Sequence, residues 1–295
     1  MNAPSVTVYL PTRNRAGVMA EAAASVLAQH LQDLELIIVD DASEDGTPEV
    51  AAQLVRADPR VRYLRQPSRL GAPAARNRAI AEARGPFVTG IDDDDLMLPH
   101  RLTSLLAGHD ERYSLVCSGF MHERGGWRRP VFTRPRTIPL GALLHYNFVG
   151  NQALVMTERV RAVGGFDETL AGSQEYDLWT RLVQRFGPAR RVAGASYVFR
   201  EGAAGQSIST SASAGLGAAL YARKHDASMN DSQRRSQRLL QAIASGRQVR
   251  LAEFPGYFAP TTADVLLRYW AGGLPIAKSL GDRYRRLRWG PGSAR

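Results

Sequence analysis

Apolar runs alternate with helical segments over the first hundred residues, and this alternation constrains the fold more than any other feature of the chain. Val6-Thr7-Val8-Tyr9-Leu10 reads as a strand, and residues 16–29 as an Ala-rich helix. A strand at 34–39, a helix at about 48–57, a short strand at 61–64, a helix at 73–83 and a strand at 87–91 follow. Strands linked through helices in this way form a mostly parallel sheet with helices on both faces. Ligands bind such sheets outside the carboxyl ends of the strands. Three polar clusters fall at those ends. Pro11-Thr12-Arg13-Asn14-Arg15 follows the first strand, Asp40-Asp41-Ala42-Ser43 the second, and Asp92, Asp93, Asp94 and Asp95 the fourth. All three are expected on one edge of one sheet, where they can build a single site.

Consecutive carboxylates roughly 6 Å apart repel by about 3 kcal/mol per pair at an effective dielectric of ~20. A cation or several amide donors must offset that repulsion. Asp92-x-Asp94 therefore reads as a metal seat of hard oxygen ligands. The plainer alternative is a solvated acidic turn.

With 295 residues, 44% hydrophobic and 22% charged, the chain suits one large or two small globular domains. Its single cysteine, Cys117, lies in the apolar run Ser114-Leu115-Val116-Cys117-Ser118-Gly119-Phe120, which makes it core filler in a chain without an internal disulfide. A reducing cytoplasm is the expected compartment. Met1-Asn2-Ala3-Pro4-Ser5 enters a strand at once, so no signal peptide is expected, and no stretch approaches the ~18 apolar residues of a membrane span. The net charge of +10 is unevenly placed: residues 1–211 balance to +1 and residues 212–295 to +9. The basic character belongs to the C-terminal segment, away from the acids.

Beyond residue 110 the pattern loosens. Residues 114–120, 152–156 and 190–198 read as strands, and a short helix from Val160 ends at Gly164-Gly165. Residues 175–186 form an amphipathic helix with Leu178, Leu182 and Phe186 on one face. Residues 201–217, rich in Gly, Ala and Ser, read as a mobile loop, with helices at about 216–245 and 262–271. The expected organisation is an α/β domain over 1–211 and a basic, mainly helical extension over 212–295.

Several look-alikes fail. Asp41-Ala42-Ser43-Glu44-Asp45-Gly46 opens like a calcium loop, but Ala52 stands where a bidentate acid is needed. Asp45-Gly46-Thr47 matches part of an aspartyl-phosphate signature, but Ser43 occupies the nucleophile position. Neither a G-x-G-x-x-G after the first strand nor a Walker A sequence is present. The six histidines show no metal spacing; His122 and His145 are isolated.

The chain closely resembles the family 2 glycosyltransferases, which use the nucleotide-diphosphosugar-binding GT-A fold. The resemblance rests on an ordered series of motifs over roughly residues 5 to 210. Val8-Tyr9-Leu10-Pro11-Thr12-Arg13-Asn14-Arg15 comes first, then Ile38-Val39-Asp40-Asp41-Ala42-Ser43-x-Asp45-Gly46-Thr47. Gly71-x-x-x-Ala75-Arg76-Asn77-x-Ala79-Ile80 and the acid quartet with Pro99 follow. Val163-Gly164-Gly165-Phe166-Asp167-Glu168 and Gln174-Glu175-Tyr176-Asp177-Leu178-Trp179 complete the series.

By position, the resemblance implies that Pro11, Arg13 and Asp41 hold the base and ribose, with Arg76 and Asn77 beside the nucleotide and diphosphate. Asp92 sits near the ribose and Asp94 on a Mn²⁺ or Mg²⁺ ion. Asp93 falls on the nucleotide-sugar side, although its own context gives Asp93 or Asp95 a capping role for a helix opening near Pro99. Related enzymes carry a Glu-Asp pair whose Asp is the catalytic base; here the pair is Gln174-Glu175, which makes Glu175 the base. The plain role of Glu175 is to favour a helix N-terminus. Asp177 is expected to orient neighbours, Trp179 to sit in the core, and Arg200 to meet the diphosphate.

The expected function is inverting transfer of a sugar from a nucleotide-diphosphosugar, a UDP-sugar by resemblance, to a saccharide or lipid-linked saccharide acceptor in polysaccharide or glycolipid assembly. The alternative is a nucleotidyltransferase, though Pro11-Thr12-Arg13-Asn14-Arg15 lacks the glycines of its phosphate loop. No nucleic-acid motif is present. In the tail, Ile276, Leu280, Tyr284 and Leu287 at helical spacing, among Lys278, Arg283, Arg285, Arg286 and Arg288, suggest peripheral contact with an anionic membrane, or else a helix docked on the catalytic domain.

Overall fold

The structure, a computed structural model, describes residues 3–202, 211–247 and 249–262. Its N-terminal part alternates as the sequence implies: β1 (Val6–Thr12), α1 (Ala16–Leu27), β2 (Leu34–Asp40), α2 (Thr47–Ala57), β3 (Val61–Arg65), α3 (Ala72–Glu82) and β4 (Phe87–Gly90). These strands lie parallel in the order β3-β2-β1-β4. β1 and β2 are buried along their whole length, as strands covered on both faces must be. Val6, Val8 and Leu10 of β1 and Leu34, Leu36 and Ile38 of β2 pack with Met19, Ala22, Ala23 and Val26 of α1.

Turn chemistry sets the helix starts. The carboxylate of Asp45 accepts from the backbone N–H and hydroxyl of Thr47 and from the N–H of Ala16, so one acid organises the openings of α2 and α1. Chain order runs outward from β1 through β2 to β3, and then returns to β4 on the other side of β1. The carboxyl ends of β1 and β4 therefore flank a topological switch point, where α/β sheets bind ligands.

The chain continues through β5 (Leu96–Met97), α4 (Arg101–Ala107), β6 (Val116–Arg124), β7 (Trp127–Val131), β8 (Arg136–Ile138), α5 (Leu140–Leu143), β9 (Val155–Met156), α6 (Thr157–Ala162), α7 (Gln174–Phe186) and β10 (Ala189–Arg200). β9 adds antiparallel to β4, while β5-β10-β6-β7 form a second sheet in which β8 also pairs with β10. The sequence reading missed β7 and β8. Trp127-Arg128-Arg129-Pro130 shows no apolar alternation because β7 is an exposed edge strand, where neither face needs burying and a proline is tolerated. Cys117 is fully buried, as expected of core filler.

By contact density the described chain forms two units. One runs to Leu143 and resumes over Asn147–Thr169 and from Gln174 through β10; the other gathers Leu144–Tyr146, Leu170–Ser173 and the described residues from Ser211 onward. The second unit contains α8 (Ser211–His225), α9 (Asp231–Ala244) and α10 (Phe254–Tyr257), with Leu239, Ala242, Val249 and Tyr257 as its core. Two expectations change here. Residues 211–217 are helical, not loop, because their small residues open α8. The helix expected over 216–245 breaks before α9, where Asn230 and Gln233 form a capping box. From residue 263 onward, the second expected helix and the amphipathic tail lie outside the described residues. Among the described residues, no helix is long and apolar enough to cross a membrane.

Gly119 shows how tightly the second sheet is built. A Cβ there would lie 2.6 Å from the carbonyl oxygen of Val131 and 2.8 Å from those of Gly194 and Phe132. All three are backbone atoms, so relief requires moving strands. Gly119→Ala is expected to destabilise the fold by about 1–3 kcal/mol, read as a lower midpoint in thermal unfolding.

Candidate functional site

The acid quartet leaves β4 at the switch point, and its members alternate in direction. Asp93 is 5% exposed and accepts a 2.8 Å hydrogen bond from the hydroxyl of Thr12 at the end of β1. Asp95 is 1% exposed and accepts from the Tyr197 hydroxyl (2.7 Å) and the backbone N–H of Arg200 (2.9 Å). Both carboxylates therefore staple β4 to its neighbours. Neither caps a helix: α4 opens at Arg101 behind His100 without a side-chain cap. That expectation fails because the buried acids turn inward beneath the sheet edge.

Asp92 and Asp94, alternating with them along the chain, are half-buried. Asp92 accepts from Arg76 Nη2 (3.0 Å) and Gln152 Nε2 (3.3 Å), and its backbone N–H donates to the Tyr197 hydroxyl (3.2 Å). No ion pair engages the Asp94 carboxylate among the described residues. Burial, and then the charge of Asp92, raises its pKa above the usual carboxylate range. Burial likewise pushes Asp93 up to about 6, and raises Asp95 with Asp92 adding to the effect. The charges of Arg15 and Arg200 offset the rise at the half-buried Asp94 only in part.

Arg76, on α3, is the cation nearest the cluster's centre. Its side chain is only 7% exposed, and its Nη2 lies 3.0 Å from Asp92 Oδ1 and 2.8 Å from Glu175 Oε1. Its Nη1 donates to the Gln174 side-chain oxygen at 2.9 Å, and its guanidinium lies 5.3 Å from the ring centre of Phe166. One guanidinium therefore joins the loop after β4 to the first turn of α7. The Glu175 side chain is mostly buried in this cluster, 22% exposed. Burial raises its pKa, Arg76 opposes that rise, and Asp92 adds to it.

Other anticipated residues have structural partners as well. Pro11 is buried within β1, and Arg13 is half-buried with an unpartnered Nε. Asp41 accepts from Gln66 Nε2 and from the backbone N–H groups of Leu70 and Gly71, which fixes the loop entering α3. The Asn77 amide bonds both backbone groups of Phe166 and also reaches Glu168. Gly165 has a φ of +70°, and a Cβ there would lie 2.4 Å from Asn77 Oδ1, which explains the glycine. Arg200 donates to Asp94 O and Glu21, while its Nη2 is buried without a partner. Asp177 is fully buried and orients Arg181, which donates to the carbonyls of Val163 and Gly165. Trp179 is core, 1% exposed.

Sequence reasoning missed Tyr9, Gln152 and Tyr197. Tyr9 and Gln152 are hydrogen-bonded at 3.3 Å, and Gln152 carries the link on to Asp92. Only tertiary pairing brings them there, so no local spacing could have announced them. In the second unit, a groove of about 550 Å³ bordered by Arg223, Arg234 and Arg238 has Asp226, already paired with Arg234, as its one acid. It offers no base and no metal seat.

The donor set can be tested against a divalent ion. Among the described residues, no group of three or more ligating side chains assembles, so the protein alone builds no closed cage. Mg²⁺ and similar ions are held by one or two carboxylates, with phosphate oxygens and water completing the shell. An unpaired carboxylate disfavoured in its charged form, as Asp94 is, fits that kind of site.

The same electrostatics makes the quartet a stability burden. A carboxyl whose folded pKa is raised binds protons more tightly in the folded state, so stability falls as pH rises through its window. For Asp93 that window runs from the ordinary value of 3.8 to about 6. In chelated, metal-free protein, Asp93→Asn is expected to raise stability by on the order of 2 kcal/mol above pH 7, with the gain fading below pH 4. Thermal unfolding across pH checks this.

Comparison with known proteins agrees with this architecture. The family model for glycosyl transferase family 2 matches residues 7–163. A protein of Escherichia coli (strain K12) named as a colanic acid biosynthesis glycosyl transferase, WcaA, is 33% identical over 235 residues, spanning 76% of this chain and 82% of that one. Staphylococcus aureus TarS 1-349, solved in complex with UDP-GlcNAc, superposes with a TM-score of 0.65 at 16% identity, covering 93% of this chain and 83% of that one. The mannosyltransferase PcManGT of Pyrobaculum calidifontis, solved with GDP-Man and Mn²⁺, superposes with a TM-score of 0.59 at 22% identity, covering 97% and 81%. The α/β architecture is the GT-A fold of these neighbours, and the chain belongs to glycosyl transferase family 2.

Proposed function

We propose that this enzyme transfers a sugar from a nucleotide-diphosphosugar, a UDP-sugar, to a saccharide acceptor in polysaccharide or glycolipid assembly, with inversion at the anomeric carbon. The observation that carries the reading is the shared guanidinium of Arg76, which seats Glu175 beside the Asp-x-Asp acids. A base and a diphosphate seat this close serve one reacting centre.

In this reading the nucleotide lies across the carboxyl edge of the sheet, with Arg13 and Asp41 toward the base and ribose and Asn77 alongside. Asp94, with Asp92 and the donor diphosphate, would hold a Mn²⁺ or Mg²⁺ ion, which supplies Lewis-acid neutralisation of the leaving group. The buried, unpartnered Nη2 of Arg200 is a further donor for diphosphate oxygens. Glu175 takes the proton from the acceptor hydroxyl as that oxygen attacks the anomeric carbon and the nucleoside diphosphate departs. A single displacement with one base inverts configuration and needs no covalent intermediate. The nearness of the E. coli relative and the Mn²⁺-bound neighbour support the pathway class and the metal.

Three measurements test this. Calorimetry is expected to show UDP binding that weakens at least tenfold when Mn²⁺ is chelated, and Asp94→Ala is expected to abolish the metal's effect; metal-independent binding would remove the seat. Glu175→Gln is expected to lower kcat by about 10²–10⁴ with donor affinity retained, and full turnover would overturn the base assignment. Glu175 must be ionised to act, and its pKa is raised. Wild-type kcat is therefore expected to fall with decreasing pH along a limb above the ordinary glutamate range.

A further inference from the structure

The edge of the second sheet carries a surface that the transfer chemistry above does not use. β6 and β7 form an antiparallel hairpin turning at Gly125-Gly126. Residues 124–136 contain Arg124, Arg128, Arg129, Arg134 and Arg136 and no carboxylate. Arg128 pairs with Glu123, and Glu201 pairs with both His122 (2.8 Å) and Arg124 (3.3 Å), while no ion pair engages Arg129 among the described residues. Arg124 is 75% exposed and Trp127 43%.

Register fixes which of these side chains share a face. His122 opposes Arg129, and Arg124 opposes Trp127, across the hairpin. On the other side, Phe199 of β10 aligns with His122, and Tyr197 with Phe120. Opposed residues project to the same face of a sheet. A single strip therefore runs outward from Phe120 and Phe199, through His122, whose ring lies 5.5 Å from that of Phe199, to Arg129, Arg124 and Trp127. Its inner end touches the acid motif, because the Tyr197 hydroxyl donates to Asp95. Arg129 stands two strand spacings from Phe199, about 10 Å.

We infer that this hairpin face is an acceptor track for an acidic saccharide chain, one whose sugars bear carboxylates. The inference rests on the transferase reading, since the strip begins at the proposed donor acids. The exposed ring of Trp127 takes up the C–H face of a pyranose, and the forked guanidinium of Arg129, which no ion pair engages among the described residues, suits a carboxylate. A lipid surface is the poorer match. Of the large exposed hydrophobic side chains in the described residues, Trp127 alone lies on the hairpin, and Glu201 stands beside the strip with its carboxylate on His122 and Arg124. Membrane-surface elements instead present a broad apolar face beside their cations.

The test is a calorimetric titration of the full-length protein with a defined hexasaccharide of alternating glucuronate and N-acetylglucosamine, and with its carboxyl-reduced neutral counterpart. The acidic form is expected to bind at least tenfold more tightly than the neutral one. Arg129→Ala and Trp127→Ala are each expected to weaken its binding at least fivefold, with thermal unfolding unchanged. Equal affinity for the two forms, no binding of either, or wild-type affinity in both variants would overturn the proposal. So would variants that lose binding only to vesicles containing phosphatidylglycerol. UDP with Mn²⁺ is titrated separately into the wild-type protein. Loss of that signal while the Arg129-dependent saccharide binding persists overturns the donor reading alone, and the reverse pattern overturns the track alone.

Discussion

A buried guanidinium shared between two carboxylates is the contact on which this site depends. Without Arg76, Asp92 and Glu175 would face one another in a poorly hydrated recess, and their mutual repulsion would drive the loop after β4 away from α7. Leaving a buried charge unpartnered is strongly destabilising, so each of the three groups holds the other two in place. The arrangement leaves Arg76 Nε buried and unpartnered, so even this hub is not fully satisfied by the protein.

The rest of the acid cluster follows from the same competition between burial and charge. Asp93 and Asp95 are tolerated inside because hydroxyl and amide donors meet them, and they tie β1 and β10 to the end of β4. Asp94 is half-buried, and no ion pair engages its carboxylate among the described residues. Four like charges in sequence thus separate into two that bind structure together, one paired with Arg76, and one that no ion pair engages among the described residues.

Much of the frame was legible in the chain. The alternation of β1 through β4 with helices could be read from short apolar runs between helical segments, clearest for β1 and β2, which are buried along their whole length. The convergence of the polar clusters then followed from their phase relative to the strands. Beyond β4 the signal weakens for physical reasons. β7 lies exposed at an edge, so its residues answer to solvent and show no alternation. The partners of the acids, Tyr9, Gln152 and Tyr197, come from separate strands and loops whose meeting is a property of sheet order. The capping role expected of Asp93 or Asp95 failed because a local rule was applied where tertiary burial decides.

Asn77 follows Arg76 directly on α3 and grips the opposite side of the same neighbourhood, through Phe166 and the glycine turn that Arg181 of α7 also holds. Adjacent residues of one helix thus hold α7 directly, through Gln174 and Glu175, and indirectly, through the Phe166 turn that Arg181 grips. Rotating α3 would disturb both contacts together. The position of the Glu175 carboxylate is thereby set by a pair of helices, through contacts the folded chain makes by itself.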